Sequence, residues 1–440
     1  MRTSIILTVA ILVLVFGLYI LTGLSCGKSD QPITTKDVAG KEKKGEKTKD
    51  DVKTPTEKSN IEIASEKGKE YLVAQYGKGW GKDSKQRYLG IDGLVVGGLL
   101  SDPNPMKPTD MIIAETFDSL LTKQNSKDGK WENPQGGQAV YETSTIILAF
   151  KKAIDLDPNL ANADKIKDAI KRGVDYLILA QVDENPAFEG DVVVKEGDKG
   201  FIATHRGGWI YGHHKPGKSP ANLSTSHFAM QALYESGMME DPKVKDAFKK
   251  AIGFLEYCQN FGEKSIEIPA GIDDRKDVDK IKYGADGGGI YGPGIAKPKY
   301  LEKDGFKIPK SYASMTYALL KGYIFAGIPK TDPRIVAAFE WLKKAENFTF
   351  DKNAGFEEQP YAGLFYLIYT ASKAFKLMGE DIIADSKGQE HNWRDEINNK
   401  IINMQNTNGS WINENESRWE EGNPILATAY SLLIFGNTAK

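Results

Sequence analysis

Apolar residues recur with a helical period along almost all of the chain after Asn60. They show no sustained alternation of the kind expected in a strand, so the pattern predicts an all-α body. The apolar stretches form six pairs, and a turn rich in Gly and aromatic residues joins the members of each pair. The predicted helix pairs are residues 63–75 with 89–100, 111–124 with 141–154, 163–181 with 223–235, 243–260 with 312–326, 333–348 with 362–378, and 393–405 with 426–435.

The turns share a Gln that ends the first helix and a Gly and a Trp that precede the second. The clearest copies run from Gln124 to Trp131 and from Gln405 to Trp411. Gly supplies a positive φ at a helix end, while the Gln amide and the indole N–H can hydrogen-bond unpaired backbone groups there. Because one hairpin cannot bury its apolar face alone, repeated hairpins must stack. The terminal copies carry no obvious polar caps, so six hairpins predict a closed (α/α)6 toroid.

Two connections depart from this plan. The third and fourth pairs are joined by loops far longer than a usual helix-to-helix connection. The third carries Arg206-Gly-Gly-Trp-Ile-Tyr-Gly212, and the fourth carries the similar Asp286-Gly-Gly-Gly-Ile-Tyr-Gly292. Long loops on a rigid scaffold are where function collects. These two insertions therefore predict the mouth of any functional site.

The N-terminal sixty residues have a different composition. The apolar run from Ile5 to Leu24 is long enough to cross a bilayer, and it ends next to Cys26. Residues 1–26 are consistent with a lipoprotein signal in which Cys26 is lipidated, or with an uncleaved membrane anchor. Residues 27–60 are charged and predict a disordered linker, which leaves residues 61–440 as the toroid domain. Either form tethers the protein to a membrane in the cell envelope, and we expect the domain to face the periplasm or exterior.

Charge and cysteine content exclude several classes of function. The net charge of -2 provides no basic excess for phosphate contacts, so nucleic acid is not an expected partner. Beyond Cys26, Cys258 is the only thiol, which excludes a disulfide framework within one folded chain. No cofactor is predicted.

The Gln-to-Trp turns, including Gln75 to Trp80, resemble the QW repeats of the terpene cyclase and prenyltransferase superfamily. The resemblance covers residues 61–436 and implies an (α/α)6 toroid around a central, mostly apolar cavity. Within the superfamily the chain is most similar to single-domain bacterial prenyltransferase and squalene oxidase repeat proteins. Squalene/hopene cyclases are larger, with two such domains.

The motifs that carry the known chemistries of this superfamily are missing or displaced. There is no Asp-x-Asp-Asp, the acid of class II cyclases. Asp273, Asp274 and Asp277 fit the spacing of a magnesium-binding motif, but neighbouring Arg275 and Lys276 favour a solvated charge run. Cys258 lacks the Asp-x-Cys context of zinc-dependent prenyltransferases, and no metal site is predicted.

Several side chains are candidates for a site despite these absences. Four histidines fall in or just after the third insertion, where exposed loop histidines are the simpler interpretation and the helical His227 is the best candidate to face a cavity. Candidate acids at the cavity mouth are Asp286, Glu357 and Glu358. A polar strip follows the last turn at residues 413–421. The histidines are His205, His213, His214 and His227, and the predicted ligand-cavity residues are Trp209, Tyr211, His227, Tyr291, Tyr312, Tyr317, Tyr366 and Tyr369.

These features predict a membrane-tethered envelope protein that binds or modifies an isoprenoid-like apolar molecule in its central cavity. Aromatic rings at helical spacing also serve as plain core, so the ligand assignment depends on which rings line the cavity. Two alternatives stay open at this point. One is a carbohydrate-processing (α/α)6 enzyme that uses Asp286 with Glu357 or Glu358, and the other is a scaffold without chemistry.

Overall fold

The computed structural model describes residues 58–85, 88–101, 103–133, 135, 137–183, 200–212, 221–272 and 275–439. These residues form twelve α-helices that match the predicted pairs closely, six small strands, and short 3-10 turns. The helices are α1 (Asn60–Ala74), α2 (Leu89–Ser101), α3 (Met111–Lys123), α4 (Ala139–Leu156), α5 (Ala163–Leu179), α6 (Leu223–Glu235), α7 (Pro242–Tyr257), α8 (Ala313–Phe325), α9 (Pro333–Lys343), α10 (Leu364–Met378), α11 (Trp393–Asn403) and α12 (Pro424–Thr438).

The even-numbered helices pack on one another in a closed cycle. Helix α2 contacts α4, α4 contacts α6, α6 contacts α8, α8 contacts α10, α10 contacts α12, and α12 returns to α2. These inner helices are buried on nearly all sides, and α2 is buried from Leu89 to Leu100. The odd-numbered helices are amphipathic, as α5 and α7 show, and they pack outside the cycle. The core is therefore one continuous layer between two sets of helices.

The Gln of each well-formed turn joins neighbouring hairpins. Its side-chain amide donates to the carbonyl of the turn glycine and to a carbonyl of the next outer helix, for example from Gln124 to Gly129 O at 2.7 Å and to Ala169 O at 2.9 Å. Gln405 makes the same pair of bonds across the chain ends, to Gly409 O at 3.0 Å and to Ala64 O at 2.7 Å. The last hairpin therefore bonds to α1 as the second, third and fourth hairpins bond to their successors.

The turn glycine and the Trp have geometric reasons for their identity. Gly129 has a φ of +80°, and a Cβ there would lie 2.4 Å from Arg172 O on the next outer helix. The indole N–H of Trp131 donates to Leu120 O at 2.7 Å, and that of Trp411 donates to Ile401 O at 2.7 Å. These indoles satisfy carbonyls at the ends of the outer helices.

The prediction of a wholly helical body missed several strands. A four-stranded sheet of order β1-β2-β4-β3 lies in the connection between α7 and α8, and a two-stranded hairpin joins α10 to α11. Strands of three or four residues are too short for an alternating pattern to show. The strands are β1 (Ser265–Ile268), β2 (Asp279–Lys282), β3 (Leu301–Lys303), β4 (Phe306–Ile308), β5 (Ile382–Ala384) and β6 (Glu390–Asn392).

The sheet has its own small core, and it connects the two long insertions. Ile268, Ile281 and Ile295 pack with Phe201, which belongs to the connection between α5 and α6. The two insertions therefore contact each other at one end of the helical cycle.

Residues 1–57, which hold the predicted membrane anchor with Cys26 and most of the predicted linker, lie outside the described residues. The last residues of the predicted linker belong to the start of α1, which Ser59 caps. No helix in the described part of the chain is both long enough and apolar enough to cross a membrane.

Candidate functional site

A cavity of about 400 Å³ opens where the amino-terminal ends of the six inner helices meet. Every inner helix contributes to its wall, either by its first turns or by the residue just before it. Exposed Lys297, Trp419 and Glu420 lie at its mouth. The aromatic part of the wall consists of Tyr88, Tyr141, Tyr211, Phe228, Tyr291, Tyr312, Tyr366, Trp419 and Tyr430.

Tyr211 and Tyr291 occupy equivalent positions in the two long insertions. The carbonyl of Tyr211 accepts from Val140 N at the start of α4 (3.1 Å), and the carbonyl of Tyr291 accepts from Leu223 N at the start of α6 (2.7 Å). Their hydroxyl groups hydrogen-bond each other. The ammonium of Lys297 lies 4.3 Å from the centre of the Tyr291 ring. The shared sequence of the insertions thus places two tyrosines side by side at the cavity.

Other polar atoms of the wall are also paired with one another. The Tyr141 hydroxyl lies 2.5 Å from Ser224 Oγ, and the Tyr366 hydroxyl lies 2.7 Å from His227 Nε2. Burial raises the pKa of Tyr141 and of Tyr366 well above the usual range, so both phenols stay neutral. The wall therefore presents mainly ring faces and edges, and the hydroxyls of four of its tyrosines (Tyr141, Tyr211, Tyr291 and Tyr366) are held by protein partners.

Glu142 is a buried carboxyl in this wall. Its Oε2 accepts from Leu89 N at 2.6 Å, which caps the start of α2, and from Asn133 N at 3.3 Å. No donor among the described residues pairs with its other oxygen, Oε1. Burial raises the pKa of Glu142 to about 7, although the backbone N–H groups of Leu89, Asn133 and Gly90 favour the charged form. Within the described residues, one carboxyl oxygen of Glu142 is thus hydrogen-bonded to the protein and the other is not.

Glu421 is a second buried carboxyl in the same wall. It accepts from Tyr366 N at the start of α10 (2.8 Å) and from the Asn413 side chain (2.8 Å). Burial raises the pKa of this group to about 7 as well. The two residues before it, Trp419 and Glu420, both have positive φ, at 56° and 65°. That conformation is unfavourable for residues other than Gly, and it holds the half-exposed Trp419 ring beside the cavity mouth.

A buried polar cluster lies behind Tyr366. Lys321 is fully buried, and its ammonium donates to Gln231 Oε1 at 2.9 Å and lies 3.4 Å from His227 Nδ1. The ammonium also lies 5.3 Å from the centre of the Tyr369 ring. Burial lowers the pKa of Lys321 to about 7, and it lowers the pKa of His227 well below the usual value.

The structure places the predicted cavity residues in three groups. Tyr211, Tyr291, Tyr312 and Tyr366 line the cavity. His227 and Tyr369 belong to the polar cluster behind it. Trp209 and Tyr317 lie elsewhere and are fully buried in the core.

Trp209 and Tyr317 have local reasons for their positions. The Trp209 indole N–H donates to Leu177 O at 2.7 Å, as in the other Trp-containing turns. The Tyr317 ring packs edge-on against Phe375. Both rings serve contacts between helices and do not face the cavity.

The three predicted acids lie on the surface and do not line the cavity. Glu357 pairs with Lys310 at 2.7 Å, which lowers the pKa of its carboxyl, and Glu358 lies 3.5 Å from Lys299. Asp286 accepts from Gly288 N and from Ser311 Oγ, so it shapes the turn before α8. The carboxyls that reach the cavity are those of Glu142, Glu420 and Glu421.

The remaining candidates either lie apart from one another or fall outside the described residues. His205 is buried against the Phe201 ring, while His213, His214, Asp273 and Asp274 lie outside the described residues. Cys258 is buried at the end of α7, and burial raises the pKa of its thiol. Among the residues that the structure describes, no group of three His, Cys, Asp or Glu side chains is placed to hold a metal ion.

In the sequence, Glu421 and Trp419 stood out only as part of a polar strip. Nothing in the sequence analysis singled out Glu142, Tyr141 or Tyr430. A signal for Glu142 existed. It is the one charged residue in positions 139–150 of α4 (Ala139–Leu156), a stretch that is otherwise apolar or hydroxyl-bearing and is mostly buried. An acid in such a stretch has to face either a partner or a cavity.

No protein-family model matches this chain, and no curated protein matches it. Among solved structures, it is similar to the type II terpene cyclase MstE from Scytonema. A complex of an MstE variant with geranylgeranyl dihydroxybenzoate matches at 12% identity and a TM-score of 0.43, over 86% of this chain and 97% of that one. The apo enzyme matches at 10% identity and a TM-score of 0.42, over the same shares of the two chains. At these TM-scores the similarity carries no argument about the cavity or its chemistry.

Proposed function

We propose that the tyrosine-lined cavity binds an apolar, isoprenoid-like molecule that carries one polar group, and that the six hairpins around it form an (α/α)6 toroid. The closed cycle of inner helices and the bond from Gln405 to Ala64 support the toroid. The aromatic wall supports the ligand class. A cavity of about 400 Å³ lies within the range of small-molecule sites.

The hydrogen bonds among the wall hydroxyls are the observation that favours an apolar ligand. The Tyr141, Tyr211, Tyr291 and Tyr366 hydroxyls have partners within the protein, so a ligand that needs many hydrogen bonds would have to break these contacts. Ring faces and edges instead provide dispersion contacts and remove apolar surface from water. An unsaturated hydrocarbon chain fits this lining.

Glu142 provides the site for the polar group. Its Oε1 is the buried wall atom that lacks a donor among the described residues, and a ligand hydroxyl could supply one. An unpaired buried carboxylate oxygen costs free energy, so a ligand that pairs it is favoured over one that does not. With a pKa near 7, the same carboxyl can also accept or donate a proton at neutral pH.

Binding is tested with farnesol, the hydrocarbon farnesene and cellotetraose, each titrated into the purified full-length protein. We expect saturable binding of farnesol, weaker binding of farnesene and none of the sugar. Ser224→Phe fills the cavity and should abolish farnesol binding, whereas Ser224→Ala at the same position should keep it. Failure of both terpenoids to bind, or equal binding to the two Ser224 variants, would refute the proposal.

The role of Glu142 is tested separately. Glu142→Gln keeps an oxygen for Leu89 N but presents an amide to the cavity. Loss of a hydrogen bond to a charged group costs about 1.5–3 kcal/mol, which corresponds to roughly tenfold or more in affinity. We expect that loss for farnesol and little change for farnesene. An equal loss for both ligands would show that Glu142 supports the wall and does not contact the hydroxyl.

Saturable binding of cellotetraose would instead favour the carbohydrate-processing alternative. That alternative has lost its predicted acid pair, because Asp286, Glu357 and Glu358 lie outside the cavity. It would have to draw its pair from Glu142, Glu420 and Glu421, and two of these, Glu142 and Glu421, cap inner helices.

We also propose that residues 1–26 tether the protein to a membrane in the cell envelope, with the domain on the periplasmic or exterior side. The apolar run and Cys26 in the sequence support this proposal. Cys26→Ser should release the protein from the membrane fraction if lipidation is the tether, and it should not if the apolar segment is an uncleaved anchor. Deletion of residues 1–26 should release it in both cases, and continued sedimentation of that variant with membranes would contradict tethering.

A further inference from the structure

A second cavity, of about 160 Å³, lies at the opposite end of the inner helices. Its wall comes from the carboxyl-terminal halves of α2, α4, α6, α10 and α12. Three lysines line it, Lys152 from α4 with Lys373 and Lys376 from α10, together with the single carboxylate of Glu235 from α6. We propose that this cavity binds one tetrahedral oxyanion, such as a phosphate group, between the lysines of its opposite walls.

The charges in the cavity do not balance. Glu235 is already engaged, because its Oε1 lies 2.6 Å from Lys373 Nζ. Lys152 forms no ion pair with a residue that the structure describes. Lys376 donates only to the carbonyl of Gly436, at 3.2 Å. Three cations against one carboxylate leave an excess of two positive charges on the wall.

The lysines come from helices that face each other across the cycle. In the order α2, α4, α6, α8, α10, α12, helix α4 lies opposite α10. Burial lowers the pKa of Lys376, and the positive charges of Lys373, Arg394 and Lys152 lower it further. Like charges that converge on one space repel each other, and an anion between them removes that repulsion.

The size of the cavity limits the ligand. A volume of about 160 Å³ equals the share of roughly five water molecules, since one occupies ≈ 30 Å³ in the liquid. One phosphate group with a few waters fits this space. Leu94 and Thr145 line both cavities, so the phosphate could be a free ion or the end group of a ligand that also enters the tyrosine-lined cavity.

A structural role for the lysines is the competing explanation. Helix carboxyl termini favour nearby cations, and the bond from Lys376 to Gly436 O is of that kind. Lys152 fits this structural explanation less well. Lys152 lies more than one turn before the end of α4 at Leu156, and no carbonyl among the described residues accepts a hydrogen bond from its ammonium.

The test is calorimetric titration of the full-length protein with inorganic phosphate and, separately, with hexyl phosphate, in chloride buffer of constant ionic strength. We expect at least one of the two probes to bind saturably. Lys152→Gln should weaken that binding by about tenfold or more, since it removes a charge that contacts the anion. Lys151→Gln is the matched control, because Lys151 is the adjacent residue and pairs with Asp155 outside the cavity.

Each outcome bears on the proposal. Saturation by inorganic phosphate assigns a free ion, and saturation by hexyl phosphate alone assigns the end group of a larger ligand. Binding of neither probe, or equal weakening by Lys151→Gln and Lys152→Gln, would overturn the proposal. Circular dichroism of the Lys152→Gln variant confirms that it folds. Because the lysines of this site do not line the tyrosine-lined cavity and its probes are different, its failure would leave the farnesol result unaffected.

Discussion

Lys321→Met is expected to stabilise the protein at neutral pH and to lose that advantage at alkaline pH. The ammonium of Lys321 is fully buried without a carboxylate partner among the described residues. The polar atoms next to it are Gln231 Oε1 and His227 Nδ1. Burial lowers its pKa from 10.5 to about 7. The unfolded chain therefore holds a proton that the folded protein holds only in part at neutral pH, which favours unfolding.

The magnitude follows from that pKa difference. By linkage, the cost to the folded state is about 4 kcal/mol near pH 7, and it falls to about 1 kcal/mol near pH 10 because the unfolded lysine then also loses its proton. The substitution removes this cost but leaves Gln231 Oε1 without a donor, at about 1–3 kcal/mol. The net expectation is a gain of about 1–3 kcal/mol near pH 7, and a loss of up to about 2 kcal/mol near pH 10.

Urea denaturation followed by far-UV circular dichroism, at both pH values, measures the two free energies of unfolding. Lys171→Met is the control, because Lys171 is exposed on α5 and its loss should leave the difference near zero at both pH values. A Lys321→Met protein that is less stable than the wild type near neutral pH would refute this prediction. So would a stability difference between the two proteins that does not fall as pH rises.

Two further predictions concern the repeat geometry. Gln181→Leu removes the hydrogen bonds from the Gln181 amide to Gly207 O at 2.9 Å and to Ala247 O at 2.8 Å. The free energy of unfolding should therefore fall by about 1–3 kcal/mol. A smaller loss, measured by denaturation, would mean that water replaces the amide. Gly253→Ala in α7 places its new Cβ in open space, so it should raise the free energy of unfolding by ~0.5–1 kcal/mol. Gly207→Ala should lower that free energy, because Gly207 has a φ of +86° and a Cβ there would lie 2.1 Å from Lys250 O. Melting curves that rank the two variants the other way would contradict this prediction.

The helix boundaries could be predicted because local chemistry determines them. Residues 111–124 were expected to be helical, and α3 covers Met111–Lys123. The fifth pair shows the limit. Its first helix was expected to reach residue 348, but α9 ends at Lys343, where the Asn347 side chain donates to Trp341 O and turns the chain. A side chain that closes the end of a helix competes with continued winding, and an apolar pattern does not record that competition.

The cavity was predictable only in part. The matching insertions pointed to Tyr211 and Tyr291, and both line it. The choice of Asp286 and Glu357 relied on their place in long connections, and the sequence could not reveal that each would find a surface partner. Which face of a fully buried inner helix meets the cavity is also invisible in its composition, because nearly every position of such a helix is apolar.

The pattern of caps at the inner helices explains why the cavity carries acids at all. The first backbone N–H groups of α4, α6 and α8 donate to carbonyls, those of Tyr211, Tyr291 and Ala354. At α2 and α10 the acceptor is instead a carboxylate, from Glu142 and from Glu421. Either acceptor satisfies the helix end, and an anion there is also favoured by the helix dipole. A backbone carbonyl, however, has no second oxygen to offer a ligand. The two helices whose first N–H groups meet a carboxylate are therefore the places where a purely structural repeat acquires groups that can titrate inside an aromatic cavity.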